Sequence, residues 1–149
     1  RVYRSYREEV PEEPYTIEIG KAKVVSEGSD CTVVTWGASV FQCLAALDKL
    51  PEDVSVELID LRTLHPFDLD TIVASVKKTG RVVIVHEAPK TCGFGAELVA
   101  LVNEKAFLHF EVPPVRVTGF DTPFPYTNEM EYLPLAHRIL PAIEGAARF

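Results

Sequence analysis

The sequence predicts an α/β fold in three layers, and three observations carry the prediction. Short β-branched runs alternate with segments whose apolar residues recur every three or four positions, the order of strands and helices around a parallel sheet. One run, Val82 to Val85, is continuously β-branched and therefore reads as a strand buried on both faces, at the centre of the sheet. The punctuation agrees, since Gly80 closes one helix before this strand and Gly93-Phe94-Gly95 opens another after it. The expected architecture is an α/β/α sandwich on a mixed, mostly parallel sheet of about five strands, with right-handed crossovers and one antiparallel edge strand.

Taken in order, residues 1–15 are charged and carry Pro11 and Pro14, which rule out a regular element, so the segment reads as a linker from an upstream domain. The absence of an initiator Met before Arg1 fits the same expectation. Ile17 to Val25 alternates weakly and is expected to form the edge strand, followed by a Glu27-Gly28-Ser29-Asp30 turn and a hairpin into Thr32 to Trp36. Gly37 breaks that strand, and Val40, Phe41, Leu44 and Leu47 then recur at helical spacing up to Leu50-Pro51. Val54 to Ile59 is a further strand, with apolar residues alternating with Ser55 and Glu57.

Asp60 to Phe67 reads as a loop closed by Asp68 as a helix N-cap; Leu69, Ile72, Val73 and Val76 form the apolar face, and Lys77 and Lys78 suit the helix C-terminus. Beyond the central strand, Ala96, Leu98, Val99, Leu101 and Val102 predict a strongly apolar helix, and Val115 to Thr118 a last strand after Pro113-Pro114. Asp121 to Tyr126 is too rich in proline to be regular and too aromatic to be simply solvated. Ile139, Ile143 and Ala146 outline a final helix in which Pro141 fits only within the first turn.

Composition narrows the function. With 149 residues, 47% of them hydrophobic, the chain is the size of one domain with a sound core. A net charge of -7 and the lack of a basic stripe exclude a nucleic-acid surface, and no apolar run approaches a membrane span. Cys31, Cys43 and Cys92 are odd in number and lack metal-ligand spacing, which points to a reducing, cytosolic compartment.

His86 beside Glu87 at a strand end is the strongest pair for acid–base chemistry, yet neighbours on a strand face opposite ways, so a structural or interface role stands beside the catalytic one. Gly93-Phe94-Gly95 could hold an anion at a helix N-terminus, but its spacing is not that of a dinucleotide fingerprint. Cys92 lies near the same helix start, where a thiolate is stabilised. Asp60 and Arg62 are expected to tie their loop, and His65, His109 and His137 lack metal-ligand spacing. On the residues alone this is an α/β domain without a self-sufficient active site.

In combination, E-E-V-P-E-E-P-Y (Glu8 to Tyr15), E-G-S-D-C-T-V-V-T-W-G (Glu27 to Gly37), I-D-L-R-T-L-H-P-F-D (Ile59 to Asp68), S-V-K-K-T-G-R (Ser75 to Arg81), H-E-A-P-K-T-C-G-F (His86 to Phe94) and D-T-P-F-P (Asp121 to Pro125) resemble the transketolase-type C-terminal domain of 2-oxo acid dehydrogenase β subunits. The resemblance spans nearly the whole chain, with residues 1–15 as linker from an absent pyrimidine-binding domain and 16–149 as the domain itself. H-E-A-P with T-x-G-F, together with E-E-V-P-E-E-P-Y, is more similar to the branched-chain (2-oxoisovalerate) enzyme than to pyruvate dehydrogenase. Two departures stand out: His65-Pro66-Phe67 where Pro-Trp is commoner, and Cys92 where Gly is common.

The resemblance implies a thiamine-diphosphate and Mg enzyme that decarboxylates a branched 2-oxo acid and passes the acyl group to a lipoyl arm, with cofactor, metal and catalytic residues all outside this domain. It implies partners too: the α subunit, a second β subunit, and the basic subunit-binding domain of the dihydrolipoyl acyltransferase core. The compartment would be the cytoplasm in a bacterium or the mitochondrial matrix in a eukaryote. The interface candidates on this basis are His86, Glu87, Gly93, Phe94, Asp121, Phe124 and the terminal Phe149. A pyruvate dehydrogenase β subunit and a free-standing small-molecule-binding α/β module are the alternatives.

Overall fold

The computed structural model describes residues 2–4 and 6–149. Its five-stranded sheet comprises β1 (Lys23–Ser26), β2 (Cys31–Thr35), β3 (Val56–Asp60), β4 (Val82–Pro89) and β5 (Val115–Gly119), in the spatial order β1-β3-β2-β4-β5. β2 runs parallel to both β3 and β4, and β4 parallel to β5, while β1 is the antiparallel edge. The predicted sandwich is therefore the observed one. α1 (Ser39–Leu47) and α5 (Ala136–Ala147) cover one face; α2 (Leu69–Thr79) and α3 (Phe94–Ala106) cover the other.

Strand alternation divides the core between the two faces. Val33, Leu58, Val83, Val85 and Val117 pack with Cys43 and Ala46 of α1 and with Ile139, Ile143 and Ala146 of α5. Val34, Val82 and Ile84 pack with Ile72 and Val76 of α2 and with Leu98 and Val102 of α3. Val82 to Val85 are fully buried as expected, but β4 is second from the edge, and β2, buried at all five residues, is the middle strand. Burial on both faces marks any interior strand, so it could not single out the central one.

The hydroxyls and the carboxylate where β2 and β3 meet α2 are paired. Thr32 Oγ1 lies 2.7 Å from Ser75 Oγ and 2.8 Å from Thr79 Oγ1, joining β2 to α2. Glu57 pairs with Lys78 of α2. Burial by itself would raise the Glu57 carboxyl; hydrogen bonds from Lys78 and Ser75 and the Lys78 charge outweigh it, and the pKa falls below its usual value.

Asp68 caps α2 by accepting from the Thr71 N–H at 3.2 Å, and Gly80 ends that helix in the left-handed region at φ 68°. A second Asp68 oxygen accepts from the Ala22 N–H at 3.2 Å, and the Gly20 N–H donates to Thr63 Oγ1 at 3.1 Å. These bonds direct the Gly20 and Ala22 N–H groups to the β3–α2 loop instead of a strand ladder, and β1 begins only at Lys23 rather than at Ile17.

The expected hairpin between β1 and β2 does not form. The two strands flank β3, and the Glu27 to Asp30 turn straddles the start of β3, with the Asp30 N–H donating to the Ser55 carbonyl at 2.9 Å and the Ser55 N–H to Asp30 Oδ2 at 2.7 Å. Gly28 makes the crossing possible, because a Cβ there would stand 2.2 Å from the Val56 carbonyl carbon.

Two further expectations change. A single 3-10 turn, Val2–Arg4, precedes Pro11 and Pro14, whereas residues 6–16 are irregular and exposed; Arg1 and Ser5 lie outside the described residues. Pro141 is the sixth residue of α5, not in its first turn. It leaves the His137 carbonyl without its helical partner, yet the ring faces solvent while Ile139, Ile143 and Ala146 on the opposite stripe are buried, and that packing holds the helix across the break. A short helix, α4 (Glu129–Tyr132), interrupts the segment between β5 and α5.

Candidate functional site

From β2 the chain passes through α1 to β3 on one side, and from β3 through α2 to β4 on the other, so the direction of winding reverses between β2 and β4. The carboxyl ends of those two strands are where an open α/β sheet leaves a crevice between its loops. Trp36 stands there just beyond β2, and His86 is the last residue of the buried run of β4.

The ring of His86 is 1% exposed, stacks on the indole of Trp36 at a centroid distance of 5.3 Å, and presses on the start of α3 from its other side. A Cβ on Gly93 would lie 2.6 Å from His86 Cε1, and one on Gly95 would lie 2.5 Å from Nε2. The two glycines are thus a bed for a buried imidazole. No anion can enter where the ring itself fills the space. Neither ring nitrogen has a hydrogen-bond partner. Burial first, then the charge of Arg116, push the His86 pKa below its ordinary value, against a smaller opposing influence of the Ala88 backbone. The neutral ring is the favoured form.

Phe94 completes this packing, edge-on to Trp36 at 5.6 Å and to Phe67 at 5.4 Å. Glu87 projects from the opposite face of β4, exposed, into a groove of about 200 Å3 with Gln42 and Leu135. The pair is therefore split between two faces, and an acid–base couple between them is excluded by geometry.

The loop after β4 is tied to the loop after β5. Thr91 donates to Asp121 through its N–H at 2.8 Å and through its hydroxyl at 2.7 Å, and these bonds hold the Asp121 carboxyl below its usual pKa. Arg116 donates to the Lys90 carbonyl at 2.8 Å. Further along, Phe124 packs edge-on against Tyr126 and Tyr132, and the Arg138 guanidinium lies 4.3 Å over the Phe120 ring while donating to the carbonyls of Thr118, Tyr132 and Leu133. The result is a fixed aromatic surface: Phe120, Phe124, Tyr126 and Met130 are 48%, 40%, 91% and 60% exposed, and Met and aromatic side chains are the types enriched in protein interfaces.

Six of the seven candidates, His86, Glu87, Gly93, Phe94, Asp121 and Phe124, thus converge on the carboxyl edge of the sheet. Phe149 does not. α5 begins beside Gln42 at that edge and ends where Arg148 meets Asp53 at 3.2 Å, before β3, so the exposed Phe149 ring is at the opposite, amino edge. Cys92 is exposed at φ 57°, whereas Cys31 and Cys43 are buried and their thiols are pushed up to about 12 by burial.

Trp36, Gln42, Thr91, Met130 and Arg138 were not among the candidates. Trp36 had a usable signal, being the one tryptophan and placed at the end of a predicted strand. The others act through contacts that no local pattern encodes. Among the described residues no group of three His, Cys, Asp or Glu could hold a metal ion, and no helix is long and apolar enough to cross a membrane. The carboxyl edge offers a buried, packed imidazole, a latch between two loops and an exposed aromatic surface.

The sequence profile for the transketolase C-terminal domain matches residues 20–139, and the chain belongs to that family. Among curated proteins it is 53% identical over 135 residues to the mitochondrial 2-oxoisovalerate dehydrogenase subunit beta of Dictyostelium discoideum, covering 89% of this chain and 36% of that one. It is 51% identical to the pyruvate dehydrogenase E1 component subunit beta of Bacillus subtilis, over 90% of this chain and 42% of the relative, and 49% identical to that of Staphylococcus aureus, over 100% and 46%. The chain thus spans less than half the length of these relatives. A solved split-gene transketolase, an inactive beta4 tetramer, superposes with a TM-score of 0.73 at 27% identity, covering 95% of this chain and 46% of that one.

Proposed function

We propose that this chain is the C-terminal assembly domain of the β subunit of a thiamine-diphosphate-dependent 2-oxo acid dehydrogenase. The observation that carries the reading is the identity of 49% to 53% with β subunits of such enzymes across 89% to 100% of the chain. On this reading residues 1–15 link to an upstream pyrimidine-binding domain, residues 16–149 form the assembly domain, and cofactor and catalysis belong to the rest of the α2β2 enzyme. The carboxyl-edge aromatic surface meets a neighbouring subunit, and the acyltransferase's basic subunit-binding domain docks on an acidic face that includes Phe149. The compartment follows the source: cytoplasm in a bacterium, matrix in a mitochondrion.

The finer reading is a branched-chain substrate, supported by His86-Glu87-Ala88-Pro89 and by the T-x-G-F of Thr91 to Phe94. A pyruvate enzyme is the second reading, favoured by the 51% identity to the Bacillus subtilis subunit. Reconstituting the full-length subunit with its α subunit and measuring decarboxylation of 2-oxoisovalerate and pyruvate separates them. A kcat/KM at least about tenfold higher for the branched acid, roughly 1.4 kcal/mol of discrimination, is expected. The reverse preference establishes the pyruvate reading, and no activity on either acid removes the dehydrogenase assignment.

A further inference from the structure

We propose that the groove in front of Glu87 receives a lysine or arginine side chain from the α subunit, an inference that rests on the β-subunit reading. Its walls are Val2, Tyr6, Met130 and Leu135, its floor is the start of α1 with Gln42, and its volume is about 200 Å3. Among the described residues that line it Glu87 alone is charged, and among the described residues its carboxylate has no hydrogen-bond or ion-pair partner.

The other polar group is committed, since Gln42 Oε1 accepts from the Ala136 N–H at 3.3 Å. The walls are firm as well: Tyr6 stacks on Phe41 at 3.6 Å with the rings 12° from parallel, and Leu135 caps α5.

An apolar channel with one free carboxylate complements a side chain with an apolar stem and a cationic tip. The net charge of -7 on the chain favours a partner of the same positive sign. The occupant arrives on a protein surface rather than as a free amine, because exposed Met130 lines the groove and shares α4 with Tyr132, on which Phe124 packs, an apolar rim suited to closing over an interfacial ion pair. A charge pair closed off from water in this way is worth far more than one on an open surface.

The test measures association of the full-length subunit with its α subunit by sedimentation, for the unsubstituted protein and for Glu87→Asp, Glu87→Gln and Glu87→Lys. Since Glu87 is exposed and unpartnered in the chain itself, none of the three should alter its thermal unfolding midpoint. Glu87→Gln is expected to weaken association about tenfold or more, Glu87→Lys further, and Glu87→Asp least. The affinity of the unsubstituted subunit should fall with added salt more steeply than that of Glu87→Gln. If the complex forms and Glu87→Lys matches it within about twofold, the groove takes no cation and this inference fails alone. If the unsubstituted subunit forms no complex, the β-subunit reading fails and takes the inference with it.

Discussion

Gly95 and Gly145 both sit inside helices, α3 and α5, and an exposed helical Gly→Ala change ordinarily stabilises by up to about 1 kcal/mol. The structure predicts opposite outcomes for the two. At Gly145 a Cβ meets nothing within 4 Å, so Gly145→Ala should stabilise by about 0.5–1 kcal/mol. At Gly95 the same carbon would stand 2.5 Å from His86 Nε2, 2.7 Å from Cδ2 and 3.2 Å from Ile84 Cγ2.

The imidazole cannot retreat, because the Trp36 ring lies behind it and the site is closed to solvent. Overpacking of this kind costs about 1–3 kcal/mol, which exceeds the helix gain, so Gly95→Ala should be net destabilising by about 1–2 kcal/mol. For a domain of this size that is a fall of roughly 2–8 °C in melting temperature, against a rise of a few degrees for Gly145→Ala. Thermal and urea unfolding of the full chain measure both. A double-mutant cycle localises the cause: in a His86→Ala background the ring is gone, and Gly95→Ala should lose most of its penalty, a coupling of about 1 kcal/mol or more. If Gly95→Ala stabilises the chain, or if its cost is unchanged without His86, the reasoning that the glycines form a bed for the imidazole is refuted.

Three other outcomes follow from the same geometry. A His86 pKa lowered by burial and Arg116 means that the unfolded chain takes up a proton which the folded one resists, so stability present above about pH 6.5 should decline as the pH falls toward the folded value. His86→Phe should flatten that part of the urea-unfolding profile, while the separate loss at lower pH, where Glu57 and Asp68 protonate, persists. Val83→Asp places a charge in a strand with no exposure at that position and costs several kcal/mol, so no soluble, cooperatively unfolding protein should be recovered. Cys92 is exposed and lies in a loop rather than beside a base, so Cys92→Ala in the full-length enzyme should retain most turnover; a loss of about a thousandfold would assign it a nucleophile's role.

Sequence by itself determined the five strands and the four longer helices, because burial on one or both faces imposes periods of 2 and 3.6 that survive in the apolar pattern. The Asp68 cap, the Gly80 terminus and the separation of His86 from Glu87 onto opposite faces were legible for the same reason: each depends on residues a few positions apart. Tertiary structure decided what depends on distant ones. A four-residue turn reads as a hairpin locally, and only Asp30 bonding to Ser55, with Gly28 laid over Val56, carries the chain across β3 instead. Pro141 reads as a helix breaker until Ile139 and Ile143 bury the stripe that holds α5 together. His86 acquires its meaning from Trp36, fifty positions earlier, and from two glycines after it. Phe149 leaves the candidate surface because α5 spans the sheet from one edge to the other. Local patterns encode the conformation of a segment, whereas which faces meet is set by the packing that closes the core, and the candidate site is made of those meetings.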